Sequence, residues 1–173
     1  MKTINLRKGF TLIELLIVIT IIGVLAVAFL PSILGAPAKA RDVARKGHLN
    51  QISTALEAYV LDGASYPAVS NKAGFLCVDS TDLAPVVKYI QGGSIPKDPS
   101  NTDLPNLGKD CGEGKYLYVK MDPASAPTLN YALVAKVEDD NQGNASETVV
   151  KALNADKATF SAADKGAYYV LVK

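Results

Sequence analysis

The sequence predicts an α+β chain in which one long N-terminal helix packs on a small antiparallel β-sheet. Three observations carry that expectation. Phe10 to Leu30 is an almost unbroken apolar run, apolar residues recur at intervals of three and four between 38 and 62, and three later segments are β-rich. The helix is therefore apolar in its first half and amphipathic in its second.

Composition sets the frame. At 173 residues the chain holds at most one ordinary domain once the apolar N-terminus is set aside. Eighteen basic residues against seventeen acidic ones leave a formal charge of +1, so bulk charge gives no direct signal for nucleic acid or for an acidic partner. Apolar residues make up 49% of the chain and concentrate at the N-terminus, whereas the C-terminal part is rich in Asp, Asn, Gly, Pro and Ser. Two different solvents are implied. The expected organisation is a leader over 1–9, an apolar membrane helix over 10–37, and a soluble domain over 38–173 that includes an amphipathic helix at 38–62.

The leader carries Lys2, Arg7 and Lys8 and ends at Gly9. The 21 residues from Phe10 to Leu30 would extend about 31 Å as a helix, which matches the ~30 Å hydrocarbon core of a bilayer. A cleaved secretory signal also has a basic start and an apolar middle, and Ala26-Val27-Ala28 or Ala38-Lys39-Ala40 would supply its small-residue cleavage site. Charge does not settle the orientation, because Lys39, Arg41, Arg45 and Lys46 outnumber the three positive residues before the span.

Glu14 is the anomaly in this run. An ionised side chain inside an apolar helix costs about 2–3 kcal/mol even on lenient insertion scales, so it needs a membrane-surface position or a partner. Were the chain cut between Gly9 and Phe10, the new amine of Phe10 would lie about 6 Å along the helix from Glu14. The two charges would then pair within one chain or with a neighbouring copy.

The stretch Lys8-Gly9-Phe10-Thr11-Leu12-Ile13-Glu14-Leu15-Leu16, followed by Gly23 and Pro31 in the same apolar helix, resembles the class III leader and first helix of type IV pilins and of the pseudopilins of type II secretion. The likeness covers roughly the first fifty residues. It implies a pilin-like fold, cleavage after Gly9 by a prepilin peptidase, methylation of the Phe10 amine, and assembly through Thr11 and Glu14. Glu14 would neutralise the N-terminus of an adjacent subunit. Gly23 and Pro31 would bracket a helix-breaking segment that loses helicity as subunits pack, and they are the two residue types most costly to helix interiors.

Beyond Pro31, Gly35 and Pro37 are expected to weaken or bend the helix. In the amphipathic stretch Leu49, Ile52, Leu56, Tyr59 and Val60 form the apolar stripe, with Lys46, Asn50, Ser53 and Glu57 elsewhere on the wheel and Gly63 as the stop. Arg41, Asp42, Arg45 and Lys46 read first as a solvated charged face, with a contact to another subunit or to lipid headgroups as the alternative. His48, the only histidine, reads as an ordinary surface residue.

The remainder predicts a small mixed domain. Asp82 to Ile90 suggests a short helix capped by Ser80, Thr81 or Asp82 and ended by Gly92-Gly93. Ile95 to Pro99 must be extended, because residues before proline leave the helical region, and the run is similar to the proline-rich loop before the sheet of major pseudopilins. Lys115 to Lys120, Asn130 to Val137 and Ala167 to Val172 are the strands, and three or four of them would cover the helix.

No catalytic constellation is legible, so a structural rather than an enzymatic role is expected. Glu138 to Asn144 supplies loop oxygens, and the resemblance brings in pseudopilins that bind calcium in a comparable loop. Asp139 and Asp140 are the weak calcium candidates, but the spacing lacks the terminal Glu of a twelve-residue calcium loop and a solvated turn is favoured, so no cofactor is expected. Cys77 and Cys111 are the only two cysteines, and in an exported domain they allow a single intrachain disulfide enclosing 35 residues, worth roughly 3–4 kcal/mol in loop entropy. The reading put first is a major pilin-like subunit of a type IV pilus, held in the inner membrane, cleaved, methylated and polymerised with identical subunits on an inner-membrane assembly platform. The alternatives are a pseudopilin of a type II secretion or DNA-uptake system and, in another class, a membrane-anchored binding domain that does not polymerise. The subunit would reside in lipid before assembly and in a surface or periplasmic filament afterwards.

Overall fold

The computed structural model describes residues 9–69, 75–79, 81, 83–101, 114–121, 129–146, 150 and 166–173. Among them six elements follow in chain order: α1 Leu12–Leu61, β1 Leu76–Val78, α2 Ala84–Val87, β2 Tyr116–Lys120, β3 Tyr131–Lys136 and β4 Tyr168–Val172. The chain divides into two compact units, Met1–Pro37 and Ala38–Lys173.

α1 runs for 50 residues and its backbone stays helical through Gly23, Pro31, Gly35 and Pro37. The expected weakening at Gly35 and Pro37 does not interrupt it. Each proline removes one donor from a ladder whose flanking bonds remain, so in a long helix the loss is local. The stop falls at Gly63, whose φ of +87° is left-handed and whose N–H donates back to the Val60 carbonyl at 3.0 Å.

The four strands lie in the order β1-β2-β3-β4, all antiparallel. Register places Leu76, Tyr118, Leu133 and Leu171 side by side in one row and Cys77, Leu117, Val134 and Val170 in the next. Because side chains alternate between faces, these rows build two separate cores. On one face Leu49, Ile52, Ala55 and Leu56 of α1 pack against Leu76, Tyr118, Tyr131 and Leu133, with Leu83, Val86 and Ile90 around α2 completing the cluster. On the other, Leu117, Val119, Val134 and Val170 pack with Phe75, Met121, Ala145 and Val150. The sheet is therefore buried on both sides, where the sequence predicted only that three or four strands would cover the helix.

Several expectations change in detail. β1 was not read from the sequence, since three residues buried on both faces show no alternation. The helix expected over Asp82 to Ile90 contracts to the four residues of α2, whose N-cap Leu83 offers no capping side chain. The turns beyond it close with three-residue bonds, Tyr89 to Val86 and Ile90 to Val87, and end where Gly92 and Gly93 take positive φ. Ser80 and Asp82, two of the proposed caps, lie outside the described residues. Ser53, assigned to the polar side, is buried and its Oγ lies 2.8 Å from the Tyr131 hydroxyl. That bond satisfies two polar groups which the apolar surroundings would otherwise strand.

The outer side of β4 is closed by an amide. Asn144 accepts the Val170 N–H at 2.7 Å and donates to the Val170 carbonyl at 2.9 Å, imitating a neighbouring strand. The chain passes so close here that a Cβ on Gly143 would sit 1.7 Å from the Gly166 carbonyl oxygen, so only glycine fits.

The core face of α1 is open to test. Leu56→Ala is expected to lower the unfolding free energy of the detergent-solubilised chain by about 2–5 kcal/mol. Val43→Ala, at a residue 62% exposed, should stay within about 0.5 kcal/mol. Equal losses in chemical denaturation would place the packed face elsewhere.

Candidate assembly site

The first site lies at the start of α1. Thr11 precedes the first helical residue, and its N–H and hydroxyl both donate to Glu14 Oε2, at 2.8 and 2.7 Å, while the Glu14 N–H donates to Thr11 Oγ1 at 3.3 Å. This is a capping box, the Thr-x-x-Glu pattern in which each side chain satisfies a backbone donor of the other residue. The partner that Glu14 requires is thus present in its own chain. The spacing Thr11-Leu12-Ile13-Glu14 carries this pattern in the sequence itself, beside the Phe10 amine that was expected to be the partner of Glu14.

Gly9 and Phe10 are exposed, and the space around Gly9 is open. Residues 1–8 of the leader lie outside the described residues. From Leu12 to Phe29 α1 has a mean hydropathy of 2.9, none of it is buried, and it is long and apolar enough to cross a membrane. Phe10 is 92% and Leu12 88% exposed. Water is the wrong solvent for such a face, and either lipid or other helices must cover it.

The second site is a charged cluster on the other unit. Arg45 and Asp42 are completely buried, one turn apart on α1. The Arg45 guanidinium donates to Asp42, to both oxygens of Asp98 at 2.6 and 2.9 Å, to Ser100 Oγ and to Glu138 Oε1 at 2.8 Å. Arg41 adds a two-pronged pair to Glu138. Asp42 accepts the backbone N–H groups of Glu138 and Asp139. Lys46 donates to Gln142 at 3.0 Å and lies 5.0 Å from the Tyr169 ring centroid.

This overturns the solvated-face reading of Arg41, Asp42, Arg45 and Lys46. The charges are spent inside the chain, on partners 53 and 93 residues away in sequence, and no local pattern announces pairs at that range. Burial works against the charge on Arg45, but its bonds to Asp98, Glu138 and Asp42 outweigh it and raise the pKa. The hydrogen bond from Arg41, helped by Arg45, holds Glu138 down at about 2. Burial pushes Asp98 up, yet the bonds from Arg45 and Ser100 leave it below the ordinary carboxylate range.

His48 is less exposed than expected: its Nδ1 lies 2.8 Å from the Tyr116 hydroxyl, and burial lowers its pKa. In the loop after β3, Asp139 Oδ1 accepts both N–H and side-chain N–H of Asn141, and Asp140 is exposed. Among the described residues no group of three or more His, Cys, Asp or Glu is placed to hold a metal ion. Cys77 is buried on β1 and Cys111 lies outside the described residues.

Residues 4–30 match the prokaryotic N-terminal methylation motif. The type II secretion system core protein G of Pseudomonas aeruginosa is 39% identical over 124 residues, covering 62% of this chain and 87% of that protein. The chain belongs to the core protein G family. The Klebsiella pneumoniae protein of the same name is 35% identical over 72% of this chain and 90% of its own length. The type IV wide pilus major component PilA4 of Thermus thermophilus is 45% identical, but over 69 residues, 40% of this chain and 51% of the pilin. No solved structure matches the chain significantly. The protein is a structural subunit of the pilin and pseudopilin kind. The matches favour the secretion alternative over the pilus reading that the sequence put first, because core protein G is matched over 62–72% of this chain and the pilin over 40%.

The cluster sets the response to acid. Glu138 and Asp98 bind protons more weakly folded than unfolded, so their contribution to stability is complete above the unfolded carboxylate pKa and is lost as pH falls through the folded values. The unfolding free energy should decline gently once pH drops below the ordinary imidazole range, where burial keeps folded His48 from taking the proton it binds when unfolded, and then fall more steeply from about pH 5 toward pH 2. Glu138→Gln should make that acid slope shallower in denaturant titrations at stepped pH, and an unchanged slope would remove Glu138 from the account.

Proposed function

We propose that this chain is the pseudopilin subunit of a type II secretion system. It is inserted in the inner membrane through α1, cut between Gly9 and Phe10 by a prepilin peptidase, methylated at the Phe10 amine, and polymerised with identical subunits on an inner-membrane platform. The observation that carries the reading is the match to core protein G over 87% of that protein's length. The methylation motif at residues 4–30 and the uncovered apolar face of α1 support processing and assembly through the same helix.

In this reading Glu14 receives the Phe10 amine of a neighbouring subunit, and Thr11 holds its carboxylate in place. Gly23 and Pro31 bracket the part of α1 that yields as helices pack, although both are helical in the single chain. Lipid covers α1 before assembly and other copies of α1 cover it afterwards, in a filament beyond the inner membrane.

One complementation experiment tests these steps together. In a strain lacking the gene, the wild-type chain should restore protein secretion, and its mass should correspond to a chain starting at methylated Phe10. Glu14→Val should show the same processed mass and fail to form filaments, since the incoming amine loses its acceptor. Restored surface pili with no effect on secretion would return the reading to a pilus. An uncleaved Met1, or a start after Ala28 or Ala40, would reject both.

The cysteine pair belongs to the same reading, because an exported domain meets an oxidising compartment. We propose that Cys77 and Cys111 are bridged. Thiol titration of the denatured, non-reduced protein should find none reactive, and two reactive thiols would disprove the bridge.

A further inference from the structure

An open sheet has two edges, and each presents backbone N–H and C=O groups that a strand of another molecule can take up. The edge at β1 is only three residues long, and shortness is one way natural sheets avoid such pairing. β4 has no protection of its own. The run Ala167-Tyr168-Tyr169-Val170-Leu171-Val172 is six residues without a charge, a proline or a glycine, the composition of a segment that pairs edge to edge with copies of itself.

The bonds to β3 decide which backbone groups of β4 face outward. Lys173 exchanges bonds with Tyr131 and the Ala167 carbonyl accepts from Val137. In an antiparallel pair the direction alternates, so Tyr168, Val170 and Val172 turn their backbone groups away from the sheet. The first two are covered. Tyr168 exchanges bonds with Ala145 at 3.2 and 3.1 Å, and its carbonyl also accepts the Asn144 N–H at 2.9 Å. Both backbone groups of Val170 go to the Asn144 side chain. Val172 makes no outward hydrogen bond among the described residues.

The covering segment is shaped to lie flush against the edge. A Cβ on Gly166 would sit 2.3 Å from the Ala145 carbonyl oxygen, and one on Gly143 would sit 2.7 Å from that of Tyr168. Lys46 of α1 anchors the adjacent Gln142 at 3.0 Å. Asn144 supplies what an edge residue needs, a donor and an acceptor side by side on a short stem. A carboxylate there would set an oxygen against the Val170 carbonyl, and a methyl group would satisfy neither partner.

We propose that Asn144 guards the β4 edge against strand pairing with a second copy of this chain, and so confines polymerisation to α1. The inference rests on the reading that the chain polymerises through α1. A subunit stored in a membrane meets its own copies at high local density, and an open edge on an uncharged strand would give them a second, disordered route to association.

The full chain in detergent micelles tests the guard, because detergent covers the apolar half of α1 and leaves the sheet edge as the route to association. Asn144→Ala should speed amide exchange across 168–172 by at least about tenfold, and on agitation it should form thioflavin-positive assemblies that the wild type does not form. Val119→Ala loosens the core on that side of the sheet but leaves the edge covered, so it should unfold more easily and still stay monomeric. Unchanged exchange at 168–172 in Asn144→Ala, no assembly by that variant, or equal assembly by Val119→Ala would each overturn the guard. Should Asn144→Ala not fold, Asn144→Asp at pH 7 keeps the acceptor, loses the donor and is read against the same two controls. The measurement needs neither processing nor secretion, so its failure is separable from theirs.

Discussion

One helix whose two halves require different surroundings is the constraint on which everything else depends. Between Leu12 and Phe29 α1 exposes an apolar surface all round, and between Leu49 and Leu56 it buries a stripe against a sheet. The first half can be stable only where water is excluded, by lipid or by other helices. The second half is satisfied inside its own unit. A chain built this way has its intermolecular demand and its intramolecular fold on one element, which suits a subunit that passes from a bilayer into a polymer.

The buried charges follow from that division. Burying Arg45 with three carboxylates around it is a poor way to gain stability, since desolvation offsets most of the attraction. Hydrophobic residues of similar volume would hold the segments after Pro96 and after β3 to the helix at lower cost. What the ions add is direction: a guanidinium with five donors accepts only one arrangement of Asp42, Asp98, Ser100 and Glu138. The helix register against those connections is therefore fixed where its packed stripe has barely begun.

Legibility in the sequence tracked the range of the interaction. The apolar run, the stripe of Leu49, Ile52 and Leu56, the stop at Gly63 and the strands β2 to β4 all rest on spacing within a dozen residues, and all could be read. Ser53 could not, because its partner Tyr131 is 78 residues away and the wheel position alone reads as polar surface. Arg45 fails for the same reason, and β1 because three residues buried on both faces have no period to detect. The Thr11–Glu14 box is different in kind: its signal is local, and the same carboxylate also lies within one turn of Phe10, so spacing alone fits two donors.

That box also bears on how Glu14 can serve two partners. Both Thr11 donors converge on Oε2, and among the described residues Oε1 receives no hydrogen bond. A carboxylate offers about four lone-pair sites, so the intrachain bonds leave capacity for a second donor. The Thr11 N–H is an amide before and after a cut at Gly9, so cleavage creates a new cation at Phe10 without removing the existing cap. On the proposed reading, an acid held this way would enter the membrane already partly satisfied and with its carboxylate held by Thr11. A neighbour's amine would then add to the pairing instead of displacing it, which removes the conflict between stable residence in lipid and readiness for assembly.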